Sequence, residues 1–429
     1  MRFSLIVALI GLLAGTALAA PNDLVGDWRG EWIKGGDALP VTMNLSSSAG
    51  GLTGMFSSDA LQVADIPLGH VEEAGGKVHF EVQGDDGSTV FDGILSGDRL
   101  AGAFVDEHTD AHGRFELVRS THADAPVQTR DVTFNDGAVA LSGTLILPAT
   151  PGRHRAVLFL QGSGPEGRWA NRYLAQTFAK AGIAALIYDK RGVGQSTGDW
   201  HTAGFDALAQ DAAAGVRLLR AQTEVEPHLV GVYGHSQGGT IAPLVDKWAG
   251  GLDFIIASAA GGLDPADVEA YSVGNSMGLD RLAPSERADA QAYLRQVVAV
   301  AYQGGERATL DAMAAEYKNR TWFFTPPPPE SSYWSISRQI AAFRPAQSWR
   351  LVNAPVLLVN GGRDERVPPR PSIAAISSAL VAGGHPQPTV IFYPEADHLF
   401  ILPSAAKGGW PKRQPAYAES LIHWVQALH

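Results

Sequence analysis

Three pentapeptides hold a serine between two glycines at the spacing G-x-S-x-G: Gly194-Gln195-Ser196-Thr197-Gly198, Gly234-His235-Ser236-Gln237-Gly238 and Gly274-Asn275-Ser276-Met277-Gly278. The chemistry open to such a serine is nucleophilic attack from a sharp strand-to-helix turn. Small neighbours there let the backbone take a strained conformation that lifts the hydroxyl clear of a sheet. In a chain with 48 glycines the pattern also arises by chance, so the flanking sequence decides. Ser236 alone follows an apolar strand-like run (229–233) and precedes a stretch fit to start a helix (239–245). Ser196 is separated from its strand by Lys190-Arg191-Gly192-Val193, and Asp199-Trp200-His201 beyond it begins no apolar helix. Ser276 follows no strand. Ser236 is therefore the expected nucleophile.

A serine hydroxyl attacks at neutral pH only if a base takes its proton, and the base needs a carboxylate to hold its tautomer. For a serine on such an elbow the partners follow in the order acid, then histidine, on loops after late strands. The run 355–359 leads into Asn360-Gly361-Gly362-Arg363-Asp364-Glu365, and the run 389–393 leads into Pro394-Glu395-Ala396-Asp397-His398. Asp364 and His398 are the expected acid and base. Glu365 is the nearest rival acid, and Asp397 is set aside because adjacent residues seldom aim their side chains at each other. His235 is expected to pack under the elbow, and His385 and His423 read as a loop and a helix-surface residue. The oxyanion of a tetrahedral intermediate needs backbone donors. One is expected from Gln237 N–H, the other from the loop 160–165, with Ser163 N–H preferred over Gly162. The Gly-Ser-Gly of that loop lacks the Lys-Ser/Thr ending of a phosphate-binding loop.

These residues require a sheet to hold them. Apolar runs at 156–160, 183–188, 229–233, 254–257 and 355–359 read as strands buried on both faces, with amphipathic helices between them, as Phe205, Leu208, Ala212, Val216 and Leu219 illustrate. The fold class is α/β, a doubly wound, mostly parallel sheet, with the alternating segment 139–148 as an edge strand. Upstream, 24–119 reads as short alternating strands broken by Gly, Asp and Ser clusters, a small antiparallel β domain. Leu52-x-Gly54-x-Phe56 recurs as Leu100-x-Gly102-x-Phe104. The cluster Asp106-Glu107-His108-Thr109-Asp110-Ala111-His112 holds ligand types for a metal but reads as a solvated hairpin loop. Expected boundaries are 1–19 leader, 20–122 β domain and 123–429 α/β domain, with 121–129 as the linker.

Composition narrows the partners. Lys and Arg number 33 against 44 Asp and Glu, a net charge of −11, and no basic run appears, so no nucleic-acid partner is expected. The absence of cysteine removes disulfides, thiol nucleophiles, zinc ribbons and iron–sulfur clusters. No metal or organic cofactor is required. Met1-Arg2, an uncharged run from 3 to 18 and Ala17-Leu18-Ala19 read as a cleaved signal peptide. With no second long apolar stretch, the expectation is an exported protein, periplasmic or extracellular, without a stable membrane anchor.

From about residue 127 to 429 the chain resembles the α/β-hydrolase superfamily, through Gly234-His235-Ser236-Gln237-Gly238-Gly239, Gln161-Gly162-Ser163-Gly164-Pro165 and Asp189-Lys190-Arg191-Gly192-Val193-Gly194-Gln195-Ser196. The last is similar to a turn that is structural in that superfamily, which accounts for the extra serine motif. The chain is most similar to bacterial serine esterases and S33/S9-type peptidase relatives, with Gln161 where their oxyanion loop carries His. The β domain is similar in style to N-terminal extensions of exported hydrolases. Residues 263–350 form an expected lid insertion. Within it Trp322, Phe323 and Trp334, beside a proline run, could line an acyl or aryl pocket or form the lid's own core. No acidic pair in the lid stands out as a site for a peptide's N-terminal amine, so a small-molecule ester is the expected substrate. The alternatives are a peptidase or amidase of the same fold, or a non-catalytic protein holding a wall polymer or glycan.

Overall fold

A computed structural model describes residues 23–83, 87–121, 127–404 and 408–428. The expected leader, 1–19, and residues 122–126 of the expected linker lie outside the described residues. Two compact units result.

In the N-terminal part of the chain, β1 (Gly26–Lys34), β2 (Asp37–Ser48), β3 (Gly51–Ser58), β4 (Val63–Ala74), β5 (Lys77–Gln83), β6 (Ser88–Ser96), β7 (Arg99–Asp106) and β8 (Ala111–Arg119) close into a barrel in chain order. Alternation builds it: Val41, Met43 and Leu45 of β2 point inward while Asn44 is exposed. Closure removes the sheet edges that an open antiparallel sheet would leave unpaired. The interior is filled by rings, with Phe80 stacked on Phe91 at 4.6 Å and Trp32 also 4.6 Å from Phe91. Phe56 and Phe104, from the two Leu-x-Gly-x-Phe segments, are both buried. The segment 106–112 is the β7–β8 hairpin, closed by Asp106 Oδ1, which accepts the N–H groups of His108 (3.1 Å) and Thr109 (3.0 Å).

The second unit is built on β9 (Gln128–Asp136), β10 (Val139–Leu147), β11 (His154–Leu160), β12 (Ala184–Tyr188), β13 (Val225–His235), β14 (Ile255–Ser258), β15 (Val356–Gly361) and β16 (Thr389–Tyr393). The strand order is β16-β15-β14-β13-β11-β12-β10-β9. Pairing is parallel from β16 to β12 and antiparallel at β12–β10 and β10–β9. The expected edge strand at 139–148 is therefore one position in from the edge. β9 covers it, and the polar, exposed sequence of β9 suits the edge it occupies.

Helices α1 (Arg172–Lys180), α2 (Phe205–Arg220) and α3 (Gln237–Ala249) follow β11, β12 and β13. Between β14 and β15 the chain builds α4 (Pro265–Ser276), α5 (Pro284–Tyr302), α6 (Arg307–Tyr317), α7 (Ser332–Ile340) and α8 (Pro345–Trp349), the insertion expected as a lid. Then come α9 (Pro369–Ala382) and α10 (Tyr417–Gln426). One face of the sheet packs on α2, α3 and α9 through Leu208, Ala212, Val216, Val245 and Leu380. The other packs on α1 and α10 through Leu174, Phe178, Leu421 and Val425. Burial on both faces is why these strands read as unbroken apolar runs. The insertion has its own core around Tyr293, Leu294 and Val297 of α5. Among the described residues, no helix is long and apolar enough to cross a membrane.

Candidate active site

β13 ends at His235 and α3 begins at Gln237, leaving Ser236 alone in the turn with φ 53° and ψ −116°. A non-glycine residue in that region costs about 1–3 kcal/mol and persists only where its surroundings impose it. They do here. A Cβ on Gly234 would stand 2.3 Å from the Gly238 carbonyl carbon, and one on Gly238 would stand 2.9 Å from Gln161 O. Only glycine permits so close an approach, and it lets the turn fold tightly over the end of β13. Ser236 N–H is secured by Ser258 O at 2.8 Å.

Asp364 lies in the loop after β15 and His398 in the loop after β16, so parallel neighbours deliver both to the end of the sheet that carries Ser236. Asp364 Oδ1 accepts the N–H groups of Arg366 and Val367, each at 2.8 Å. Its Oδ2 is 2.8 Å from His398 Nδ1, and His398 Nε2 is 3.1 Å from Ser236 Oγ. A carboxylate can only accept, so Nδ1 carries the imidazole proton and Nε2 presents its lone pair to the serine hydroxyl. Asp364 is 2% exposed. The rival acids have other places: Glu365 is exposed, and Asp397 Oδ1 closes its own turn by accepting from Leu399 N–H (2.9 Å) and Ile401 N–H (2.8 Å).

His235 packs with its ring centroid 4.9 Å from that of His398. Burial, reinforced by His398, pushes its pKa well below 6.5, so it stays neutral and adds no second positive charge beside the base. His423 sits on an exposed part of α10, and His385 follows α9.

The other two serine motifs are structural. Ser196 is buried, its Oγ donating to Asp189 O (2.7 Å) and accepting from Ser142 N–H (3.0 Å). The turn that holds it is pinned by Asp189, which receives Arg168 Nη2 at 2.9 Å and Gln195 N–H at 3.1 Å. Burial would raise the Asp189 pKa, but the Arg168 guanidinium and these backbone donors hold it below the ordinary value. Ser276 lies on α4 and bonds back to Ser272 O at 3.1 Å.

Gln237 opens α3, so no carbonyl within the helix takes its N–H. In the loop after β11, Gly162 N–H donates to Glu166 Oε2 at 2.6 Å, which commits it elsewhere, while Ser163 is exposed. Gln161 is buried and its side-chain amide donates to Tyr188 O. Lys190 Nζ donates to Gly162 O (2.5 Å) and Gly164 O (2.7 Å) from a site where the residue is 3% exposed. Burial lowers its pKa to about 8 against the opposing charge of Glu166. Neither Lys190 nor Glu166 stands out in the sequence. The only signal is a lysine directly after a buried strand and its aspartate. Tyr271 and Asn275, one turn apart on α4, were equally hidden: Tyr271 O–H donates to Asp364 O (2.7 Å) and Asn275 Nδ2 to Glu365 O (2.9 Å).

Two of the three aromatics considered for a pocket, Trp322 and Trp334, lie in the insertion's own core. Trp322 and Trp334 are each 3% exposed, and Phe323 packs against the same cluster. Trp334 Nε1 donates to Pro328 O at 2.9 Å, and Trp322 lies 5.2 Å from Tyr317, ring to ring. The proline run is thus fastened to α7 by the tryptophan that was a candidate for substrate contact. Among the described residues, no group of three or more metal-ligating side chains is gathered.

A mostly parallel sheet with an insertion after β14, and a strained serine after β13 facing a histidine–aspartate pair from later loops, define an α/β-hydrolase. The family model described as serine aminopeptidase, S33, matches residues 152–402, and the chain belongs to that family of serine hydrolases. No curated protein matches the chain. Among solved structures the chain is similar to DcsB bound to a substrate analogue, at 17% identity and TM-score 0.47, covering 70% of this chain and 100% of that one. It is also similar to the esterase Pf2001 of Pyrococcus furiosus (17%, TM-score 0.43, 66% and 87% covered). Est1E of Butyrivibrio proteoclasticus with ferulic acid bound is a third (16%, TM-score 0.42, 69% and 96% covered).

Proposed function

We propose that the protein hydrolyses carboxylic esters of small molecules through an acyl-serine intermediate, with Ser236 as nucleophile, His398 as general base and Asp364 as the orienting acid. The observation that carries this reading is the pair of contacts on one imidazole, 2.8 Å to Asp364 and 3.1 Å to Ser236. His398 Nε2 takes the hydroxyl proton as Ser236 Oγ bonds to the ester carbonyl carbon. The carbonyl oxygen becomes an oxyanion held by Gln237 and Ser163 N–H. As the tetrahedral species collapses, the bond to the alkoxy group breaks and His398 returns the proton to the departing alcohol. Water then attacks the acyl-serine by the same proton relay, releasing the acid and restoring Ser236.

Ester over peptide is supported by the lid's acidic residues, several of which already have partners. Glu269 accepts the Tyr333 hydroxyl at 2.7 Å, Asp311 pairs with Arg307 at 2.7 Å, and Glu286 and Asp289 face Arg320 at 3.6 and 3.7 Å. A second reading, cleavage of amides or peptides by the same triad, draws support from the family's description as aminopeptidases. Export to the periplasm or medium is proposed on residues 1–19, with a short charged start, an apolar run and an Ala-Leu-Ala ending. The test is a panel of p-nitrophenyl esters and aminoacyl anilides run on wild type and Ser236→Ala together. Ester turnover that vanishes in the variant supports the proposal. Anilides turned over faster than esters favour the second reading, and unchanged ester turnover in Ser236→Ala refutes the assignment.

A further inference from the structure

We propose that Lys190 is a positioning residue of the oxyanion hole: by clamping two carbonyls of the loop after β11 it aims Ser163 N–H at the place where the substrate oxygen becomes charged.

In a trans amide the C=O of one residue and the N–H of the next point in opposite directions, and the plane is stiff. Lys190 Nζ holds Gly162 O at 2.5 Å, so the N–H of Ser163, in the same plane, is turned away from the ammonium. The neighbouring plane is fixed from its other side, since Gly162 N–H is taken by Glu166 Oε2 at 2.6 Å and Gln161 O must point the opposite way. That direction is towards the elbow: Gln161 O lies 2.9 Å from where a Gly238 Cβ would be. The loop therefore abuts the first turn of α3, whose opening residue is Gln237. A second bond from Lys190, to Gly164 O at 2.7 Å, secures the far side of the loop.

A loop rich in glycine has no intrinsic reason to hold one orientation, because glycine populates many backbone conformations. A buried ammonium with three donors can impose one. Its placement is costly unless it is hydrogen-bonded, which makes the clamp cooperative: the loop orients because the lysine is buried, and the lysine stays buried because the loop carbonyls receive it. The indole of Trp200 lies over the ammonium, 5.9 Å from Nζ to the ring centre.

This inference rests on the serine-hydrolase reading above, and the test separates the two. Lys190→Met keeps the aliphatic stem and removes the donors. With p-nitrophenyl butyrate, kcat is expected to fall about 10²–10³-fold, the loss seen when an oxyanion donor is removed, while KM stays within about threefold. Affinity for an alkyl trifluoromethyl ketone, which forms a tetrahedral adduct with the serine, is expected to fall in the same proportion as kcat. Glu166→Ala, which releases the adjoining plane, should lower kcat at least about tenfold without raising KM. It decides the question alone if Lys190→Met does not fold. Variants that melt like wild type and keep kcat within about threefold overturn the inference, as does a loss that appears in KM while ketone affinity is retained. If wild type turns over no ester, or if Ser236→Ala keeps the wild-type rate, the ester-hydrolase assignment has failed, not the clamp.

Discussion

Replacing Asp364 with asparagine should disable the enzyme by reversing a proton, not by disturbing the fold. Asp364 Oδ1 receives two backbone N–H groups at 2.8 Å, from Arg366 and Val367. In Asp364→Asn the remaining carbonyl oxygen must take that position, because an NH2 group there would face two donors. The amide NH2 is thereby forced towards His398 Nδ1, which has to accept. His398 then carries its proton on Nε2, 3.1 Å from Ser236 Oγ, and cannot take the hydroxyl proton. An imidazole locked in the wrong tautomer costs about 10⁴ in kcat, or about 5 kcal/mol of transition-state stabilisation. Because two backbone bonds and the shape of the side chain survive, the melting temperature should change by no more than about 4 °C. The assay is ester turnover at saturating substrate, with thermal melts and ¹⁵N spectra of the imidazole to report the tautomer. A variant that keeps more than about a tenth of wild-type kcat, or an imidazole that still carries its proton on Nδ1, would rule out this tautomer switch.

Three further outcomes follow from the same structure. Ser196→Ala removes a buried hydroxyl bonded to Asp189 O and Ser142 N–H, and should lower stability by about 1–3 kcal/mol while kcat stays within about threefold, checked by denaturant melts and ester assay. Gly234→Ala places a methyl 2.3 Å from backbone that cannot yield, so both melting temperature and kcat should drop, with destabilisation of at least about 1–3 kcal/mol. In the barrel, the hydrogen bond to Asp92 outweighs desolvation and raises the His79 pKa above 6.5. A raised folded-state pKa means that this contribution to stability is complete below about pH 6.5 and is lost as pH rises through the folded value. Asp92→Asn should bring the His79 pKa down in an NMR titration, and an unchanged titration would contradict the assignment.

What the sequence disclosed depended on whether its signal was local. The buried strands and the loops after them are written in contiguous apolar runs, and this is why Ser236, Asp364 and His398 could be chosen from many serines, acids and histidines. β9 was hidden because Gln128-Thr129-Arg130-Asp131 is what both a linker and an exposed edge strand contain. Trp322 and Trp334 carry the same composition whether they line a pocket or fill a core, and only their packing on Tyr317 and the proline carbonyls separates the two. Lys190 and Glu166 were silent for a different reason. Their roles arise from hydrogen bonds to backbone atoms of a loop up to 28 positions away in the chain, and no side-chain pattern records such a bond.

Acylation of Ser236, activated by His398, is what the proposed mechanism requires. Its most direct measurement is labelling of the full chain with a fluorophosphonate probe, followed by peptide mass mapping of the adduct. A single adduct on Ser236 is expected, lost in Ser236→Ala and strongly slowed in His398→Ala. An adduct on Ser196 or Ser276, or a folded wild type that takes up no label, would contradict it.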